Sequence, residues 1–327
     1  MRMSMWSCLS AASAALVAFL SLPVAAQAQH ATQVDLDNDS FNFWQAPNVR
    51  SDREYTQGTR ISFIRPATGR FSQLLGGPNQ CATAVETRDC RLLSYSLTQA
   101  IYTPTLDDRR RQPGERPYAG WLGAEAGLLR ERRRGLTAFA VSAGLTGEPS
   151  LAAPAQKAVH RIFGFPRPEG WDQQLPTEVA VFASYRGAEE LLHLELDRSR
   201  FRVLLAPSWT LRLGTVATDA TLGAQATVGL GAPPPWQGAT NLYGDRWGVF
   251  VRGGAQQTAV AHNLFLDGST FQRSAHVEKT PLVAETMLGI GARSPLGTIE
   301  WQVHSRGREY VTQPRAHAYS TLSFSMR

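Results

Sequence analysis

The chain of 327 residues, 43% of them hydrophobic and 18% charged, is long enough for one large domain or two ordinary ones. Its net charge of +6 does not indicate nucleic-acid binding, because the arginines are spread over separate turns and are not grouped with aromatic residues. They are better placed to face an anionic surface. After residue 28 the chain has no run of about 18 apolar residues, which excludes a membrane protein built from helices.

The first residues have the pattern of an export signal. Arg2 supplies a positive start, residues 11–22 form an apolar segment of signal length, and Ala26-Gln27-Ala28 is a small-x-small cleavage site. We therefore predict a signal peptide over residues 1–28 and a single domain over residues 29–327.

Two cysteines, Cys81 and Cys90, remain after the signal is removed. An exported protein enters an oxidising compartment, where two cysteines so close in sequence are expected to form a disulfide. Two free thiols are the alternative.

The mature chain repeats one pattern, in which large apolar and small polar side chains alternate over about ten residues between clusters of Gly, Pro, Asp and Arg. An export signal followed by many such segments predicts an all-β fold, a transmembrane antiparallel β-barrel of about twelve strands in the bacterial outer membrane. A secreted β-sandwich is the alternative, because its strands also alternate. The segments are 33–43, 60–65, 93–102, 136–145, 179–185, 201–213, 221–230, 247–260, 280–292, 298–303 and 319–326.

Strand parity then assigns the connections. If both chain ends lie on the inner side, the unusual polar clusters of the sequence all fall at one end of the barrel, the end of the outward-facing loops. The predicted outward loops include 44–55, 103–117, 146–177 and 262–279, and the predicted inward turns include 66–91 and 130–135.

One of these outward, extracellular loops is expected to contain a short helix. Gln156 and His160 are four residues apart, so on a helix they project from one face, one turn apart. Ser150 can cap this helix and Gly164 can end it. A polar pair on a loop held by a rigid scaffold is typical of a functional site, although a solvent-exposed helix face is the plainer interpretation.

Two other polar clusters have a chemical interpretation. Asp37-Asn38-Asp39 interrupts the apolar pattern of the first strand with oxygen donors that a hard cation such as calcium selects, although a polar lumen wall also explains it. Arg109, Arg110, Arg111 and Arg116 have guanidinium groups that could bind the phosphate of a lipid head group. A solvated run of charges is the alternative.

The motifs together resemble the outer-membrane lipid A 3'-O-deacylase family, barrel enzymes that remove the acyl chains ester-linked at the 3' position of lipid A. The resemblance covers nearly the whole mature chain, in the family's order. It is carried by Asn38-Asp39-Ser40-Phe41, Asp52 with Tyr55-Thr56-Gln57-Gly58, Gln99 with Tyr102-Thr103-Pro104, Arg116-Pro117-Tyr118-Ala119-Gly120-Trp121, Gln156 with His160, Gly170-Trp171-Asp172 with Gln174-Leu175 and Glu178, Arg246-Trp247-Gly248, and Asn263-Leu264-Phe265-Leu266-Asp267-Gly268.

The resemblance implies a site near the outer leaflet and a divalent cation, usually taken to be calcium. By position, His160 is expected to be the general base and Asp39 to hold the cation. Asn38, Thr56 and Gln156 are expected to line the site. Since the chain has no Gly-x-Ser-x-Gly elbow, the preferred nucleophile is a bound water, with Ser40 as the alternative.

The expected function is hydrolysis of the 3'-linked acyl ester of lipid A, within lipopolysaccharide of the outer leaflet, by a monomeric barrel. Three alternatives remain open at this point. One is an outer-membrane phospholipase that forms an acyl-enzyme on serine. The others are a porin and a lipid-binding barrel without catalytic activity.

Overall fold

Antiparallel strands make up most of the structure, a computed structural model that describes residues 30–39, 54–68, 81, 89–104, 111–164, 168–196, 200–237 and 247–326. The predicted signal peptide, residues 1–28, lies outside the described residues. The strands are β1 (Ala31–Asn38), β2 (Glu54–Pro66), β3 (Asp89–Thr103), β4 (Ala119–Arg132), β5 (Gly135–Leu145), β6 (Val179–Glu189), β7 (Leu192–Leu196), β8 (Phe201–Gly214), β9 (Ala217–Leu230), β10 (Gly248–Asn263), β11 (Leu282–Ser294), β12 (Gly297–Arg306) and β13 (His317–Met326).

Helices in the described residues are few and lie in the connections. Helix α1 spans Ala152–Phe163, and helix α2 is a single turn over Leu264–Asp267. Three 3-10 turns cover Glu148–Ser150, Trp171–Gln173 and Pro235–Gln237. Within the part of the chain that is described, no helix is both long and apolar enough to cross a membrane.

Twelve of the strands close into a barrel. Strands that follow each other in the sequence pair antiparallel, apart from β6 and β7, and β1 also pairs with β13. Strand β6 completes the ring by pairing with β8, and the short β7 pairs with the remaining part of β8 as a thirteenth strand. The predicted barrel is therefore confirmed, with β7 as an addition. Closure pairs the backbone groups of every strand with a neighbour, which is what a hydrocarbon environment requires.

Alternation along the strands sorts the side chains between lipid and lumen. On β3, Tyr95 and Leu97 are 43% and 52% exposed, whereas Ser96 between them is buried and lies 3.0 Å from the hydroxyl of Ser62. Several charged groups in the lumen form ion pairs. The buried Arg252, for example, donates to Glu300 at 2.7 Å. The outer surface is thus apolar and the interior polar, as expected for an outer-membrane barrel.

The strand order places six connections together at one end of the barrel, and these include the four predicted outward loops. An apolar cluster that includes Trp121, Leu175 and Phe265 packs these loops against the strand ends. At the other end, Cys81 and Cys90 form the predicted disulfide and lie in a cluster with Leu92. The six connections are 39–53, 104–118, 146–178, 215–216, 264–281 and 307–316.

Candidate active site

Helix α1 packs against the outer wall of the barrel at the loop end. Its residue Ala152 belongs to an apolar cluster with Ile101 of β3, and Ile101 is on the same strand face as the lipid-exposed Leu97. Beside Ile101, Gly120 of β4 allows the close approach. A Cβ atom at Gly120 would lie 2.1 Å from Ser150 Oγ and 2.4 Å from Ala152 Cβ. The helix therefore covers a patch of wall that would otherwise face lipid.

The predicted helix is confirmed, with a different N-terminus. Its N-cap is Leu151, in the left-handed conformation, and no side chain caps it. The predicted cap residue, Ser150, lies one position earlier, and its hydroxyl donates to the carbonyl oxygen of Gly147 at 2.5 Å. The Ser150 Oγ atom also accepts from the N–H of Ala152, the first helical residue, at 3.4 Å, so Ser150 contacts the helix N-terminus from one position before the N-cap. The helix ends at Gly164 as predicted, and the Gly164 N–H bonds to the carbonyl of His160.

Gln156 and His160 face the wall and are shielded from solvent. They are only 1% and 5% exposed, so the interpretation of a solvated helix face is wrong. Trp171 Nε1 donates to Gln156 Oε1 at 2.8 Å. An indole N–H can only donate, so its partner must be the amide oxygen, and the amide NH₂ has to point the other way. Among the described residues Gln156 Nε2 has no hydrogen-bond partner. The site thus contains a buried, oriented and unused donor.

The loop that carries Trp171 is held by Tyr118. The Tyr118 hydroxyl donates to the carbonyl oxygen of Glu169 at 2.6 Å. The backbone carbonyl of Tyr118 accepts from Leu175 N at 2.8 Å. Gly170 turns the chain at φ 99°, and a Cβ there would lie 2.8 Å from the Tyr118 ring. The role of Trp171 is not predictable from local spacing, because its contact with Gln156 spans fifteen residues.

Thr56 lies in a β-bulge. Strand register pairs Tyr55 with Tyr102 and Gln57 with Ile101, so Thr56 is the extra residue on β2. Its hydroxyl lies 2.7 Å from Thr103 Oγ1, which is on the same strand face as Ile101, so Thr56 points to the outer side of the wall. Bulges commonly re-aim a side chain next to an active site. Here the bulge adds a buried hydroxyl to the wall beside the strand that α1 covers.

Asn38 lies on the same outer side of the barrel wall as Thr56. It pairs in register with Gln57, and Gln57 pairs with Ile101 beneath helix α1. Asp39 follows β1 and is 1% exposed. Asp37, by contrast, points into the lumen, where it accepts from Tyr55 at 2.5 Å and from Thr321 at 2.6 Å. Asp37 is therefore engaged in the lumen and does not face the outer wall.

Arg116 is wholly buried. Its Nη1 lies 3.5 Å from Glu54 Oε2 and 3.3 Å from Glu309 Oε2, and its Cζ lies 4.6 Å from the centre of the Tyr102 ring. Tyr310 donates to the other oxygen of Glu54 at 2.9 Å. Burial, with the neighbouring Glu54 carboxylate, raises the pKa of Tyr310, which keeps this hydroxyl protonated. This geometry favours a structural role for Arg116 over the predicted contact with substrate.

The other predicted arginines lie in the same loop. Arg111 is partly exposed and donates to the carbonyl oxygen of Glu115 at 2.7 Å. Arg109 and Arg110 lie outside the described residues, and so does Ser40, the alternative nucleophile. Binding of a head group by Arg109, Arg110 and Arg111 stays a prediction.

A family model described as "Outer membrane protein LpxR" matches residues 9–327. The chain belongs to the LpxR family. Membership confirms the resemblance found in the motifs and places the protein in the bacterial outer membrane. Among solved structures, LpxR from Salmonella typhimurium is similar with a TM-score of 0.73 and 16% identity, covering 90% of this chain and 99% of that one.

This likeness to the Salmonella protein shows the fold alone, because the identity is low. The β domain of the Bordetella autotransporter Brka is more distant, with a TM-score of 0.44 and 9% identity, covering 91% of this chain and 99% of that one. A search of curated proteins gave no match.

Proposed function

We propose that this LpxR-family protein is a lipid A 3'-O-deacylase, a carboxylic ester hydrolase that acts on lipopolysaccharide in the outer leaflet. The observation that carries the proposal is the buried pair of Gln156 and His160, held by helix α1 against the lipid side of the barrel wall. A lipid can reach this position by diffusing within the membrane. The family match supports the same activity at the level of the family.

His160 is the proposed general base, which takes the proton of the attacking water. An imidazole suits this role because it exchanges a proton near neutral pH. Gln156 Nε2 is the proposed donor to the ester carbonyl oxygen, on which negative charge develops as the water attacks. The donor is already oriented by Trp171 and has no competing partner among the described residues. The hydroxyl of Thr56 and the amide of Asn38 would line the same wall.

Calcium is the proposed cofactor, and the donor chemistry fits it in part. Asp39 offers a buried carboxylate, and the preceding Asn38 offers an amide oxygen, both of which are hard ligands. The described residues contain no group of three or more His, Cys, Asp or Glu side chains that could hold a metal. Further oxygens would therefore have to come from backbone, water or the substrate. A bound calcium ion would polarise the ester carbonyl and stabilise the developing negative charge.

A porin is less well supported than an enzyme. Ion pairs such as Arg252 with Glu300 occupy the lumen, and Arg252 also donates to the carbonyl oxygen of Pro235 at 2.6 Å. This contact holds the 3-10 turn Pro235–Gln237 against the inner wall. A protein that only conducts solutes through its lumen would have no use for a buried polar site on the outer wall.

Mass spectrometry of lipid A tests the proposal. The full-length protein and its His160→Ala variant are expressed in a Gram-negative host, and lipid A is examined with calcium present and after chelation. We expect a mass loss equal to the 3'-linked acyl group with the wild type only, and none after chelation. His193→Ala is the matched control, because His193 is an exposed histidine on β7, and it should behave as the wild type.

Three results would count against the proposal. Unchanged lipid A from well-inserted wild-type protein would refute it. Loss of acyl chains from phospholipid in place of lipid A would indicate a phospholipase. Full activity of His160→Ala would remove the proposed base.

A further inference from the structure

We propose that a groove on the lipid-facing wall of β2 to β5, below the candidate active site, binds an acyl chain of the lipid substrate. This inference rests on the proposed function and adds a binding subsite to it. The groove has a volume of about 540 Å³. Its floor consists of Ala124, Ala126 and Ala143, and its sides include Phe63, Leu97 and Val141.

The groove follows from the sizes of neighbouring side chains on one face of the sheet. Ala124 lies directly between Leu97 of β3 and Ala143 of β5 in the strand register. Ala126, one pleat further from the site, lies between Tyr95 and Val141. Side chains of these positions stand roughly perpendicular to the sheet, so a run of methyl groups between large side chains leaves a channel along β4.

The groove lies on the same face of β4 as the candidate site. Gly120, which packs under helix α1, is on the face of β4 that also carries Leu122, Ala124 and Ala126. Leu122 lies between Gly120 and the groove and does not line it. The six residue steps from Gly120 to Ala126 span about 20 Å along the strand. With a strand tilt of about 40°, this corresponds to a depth of about 15 Å, half of a hydrocarbon core of about 30 Å. The groove therefore begins past Leu122 and ends roughly one leaflet deep from the site.

The occupant that fits this surface is a hydrocarbon chain. The floor and sides are apolar, and the wall is in contact with lipid, so water and polar groups are excluded from it. A chain whose ester carbonyl lies at Gln156 Nε2 would pass Leu122 and then enter this groove. The groove would align that chain along β4 and thereby hold the ester in place, which is a contribution to orientation. It would also favour chains long enough to reach Ala126.

Filling the far end of the groove tests the inference. The full-length protein is assayed in detergent micelles with lipid A that has a long 3'-linked chain and with an analogue whose 3'-linked chain is short. In Ala126→Phe we expect kcat/KM for the long chain to fall roughly three- to tenfold, with the short chain unaffected. The effect is moderate because a displaced chain returns to hydrocarbon and not to water.

Ala224→Phe is the matched control. Ala224 is an exposed alanine on β9, on the lipid-facing side that also carries Leu222, and it is remote from the groove in the strand order. Its variant should keep the wild-type ratio of long-chain to short-chain activity. An unchanged ratio in Ala126→Phe, with an active wild type, would overturn the groove alone. A wild type that is inactive on both substrates would overturn the proposed function, and this inference with it.

Discussion

Replacing Arg116 by Met should destabilise the barrel strongly, because it removes the cation that lies between the buried carboxylates of Glu54 and Glu309. Arg116 is fully buried, and its Nη1 lies between Glu54 and Glu309 at 3.5 and 3.3 Å. Removing one partner of a buried ion pair typically costs about 3–5 kcal/mol. Loss of the stacking on Tyr102 adds roughly 0.5–2 kcal/mol. We therefore expect the free energy of unfolding to fall by about 5 kcal/mol.

The same change should also lower activity. Glu54 has a φ of 65°, a left-handed conformation that is unusual for a residue with a Cβ atom. It directly precedes Tyr55 and the bulge at Thr56, and its two carboxylate oxygens are held by Arg116 and Tyr310. Without Arg116, this strained turn loses a contact that fixes it. The hydroxyl of Thr56 would then no longer be held against the outer wall.

Urea unfolding of the protein refolded in detergent measures the stability, with the heat-dependent shift in gel mobility as the readout of folding. Arg130→Met is the matched control, because the Arg130 pair with Asp89 is exposed, and this variant should lose about 1 kcal/mol or less. Adding Glu54→Gln and Glu309→Gln to Arg116→Met should restore part of the stability, since the two carboxylates that faced Arg116 are then neutral amides. Equal unfolding midpoints for Arg116→Met and the wild type would refute the reasoning.

Two further predictions concern the support of the site. Trp171→Phe keeps the aromatic ring but removes the donor to Gln156, so kcat for lipid A deacylation should fall roughly tenfold with little change in KM; an unchanged kcat would show that Trp171 does not orient the amide. Gly120→Ala places a methyl group against Ser150 and Ala152 and should abolish activity in a barrel that still inserts. Gly253→Ala on β10, where a Cβ would have its nearest neighbour at 3.9 Å, should keep full activity; equal activity of the two glycine variants would count against a role for close helix packing.

The barrel could be predicted from the sequence because lipid and lumen impose a period of two on every strand. One strand, β4, was not among the predicted segments, although its fourteen residues pair with β3 and β5 along most of their length. Its lipid-facing side combines Leu122 and Leu128 with the small Gly120, Ala124 and Ala126, and its other side carries Trp121 and Leu129, so the difference in hydrophobicity between its two sides is small. A periodicity argument depends on that difference and fails where small residues occupy the outer side.

The site residues could be predicted only where their spacing in the sequence places them together. Gln156 and His160 are one helical turn apart, and this spacing was sufficient to place them on one face of α1. The bulge at Thr56 has no comparable signal, because Glu54, the residue with positive φ, is not a type that favours this conformation. The burial of Arg116 was also hidden, since its partners Glu54 and Glu309 are 62 and 193 residues away in sequence.

Placing polar side chains on the lipid side of a barrel wall raises a physical problem that helix α1 solves. An uncovered amide or imidazole there would be transferred to hydrocarbon, at a cost of several kcal/mol without a hydrogen bond. Helix α1 and the loop that carries Trp171 cover Gln156 and His160, and Gly120 lets the helix approach closely enough to do so. The same cover excludes bulk solvent, and in a medium of low dielectric constant the unused donor of Gln156 interacts more strongly with a developing negative charge. The arrangement that makes these residues tolerable in a membrane protein is therefore also the one that would make them effective in ester hydrolysis.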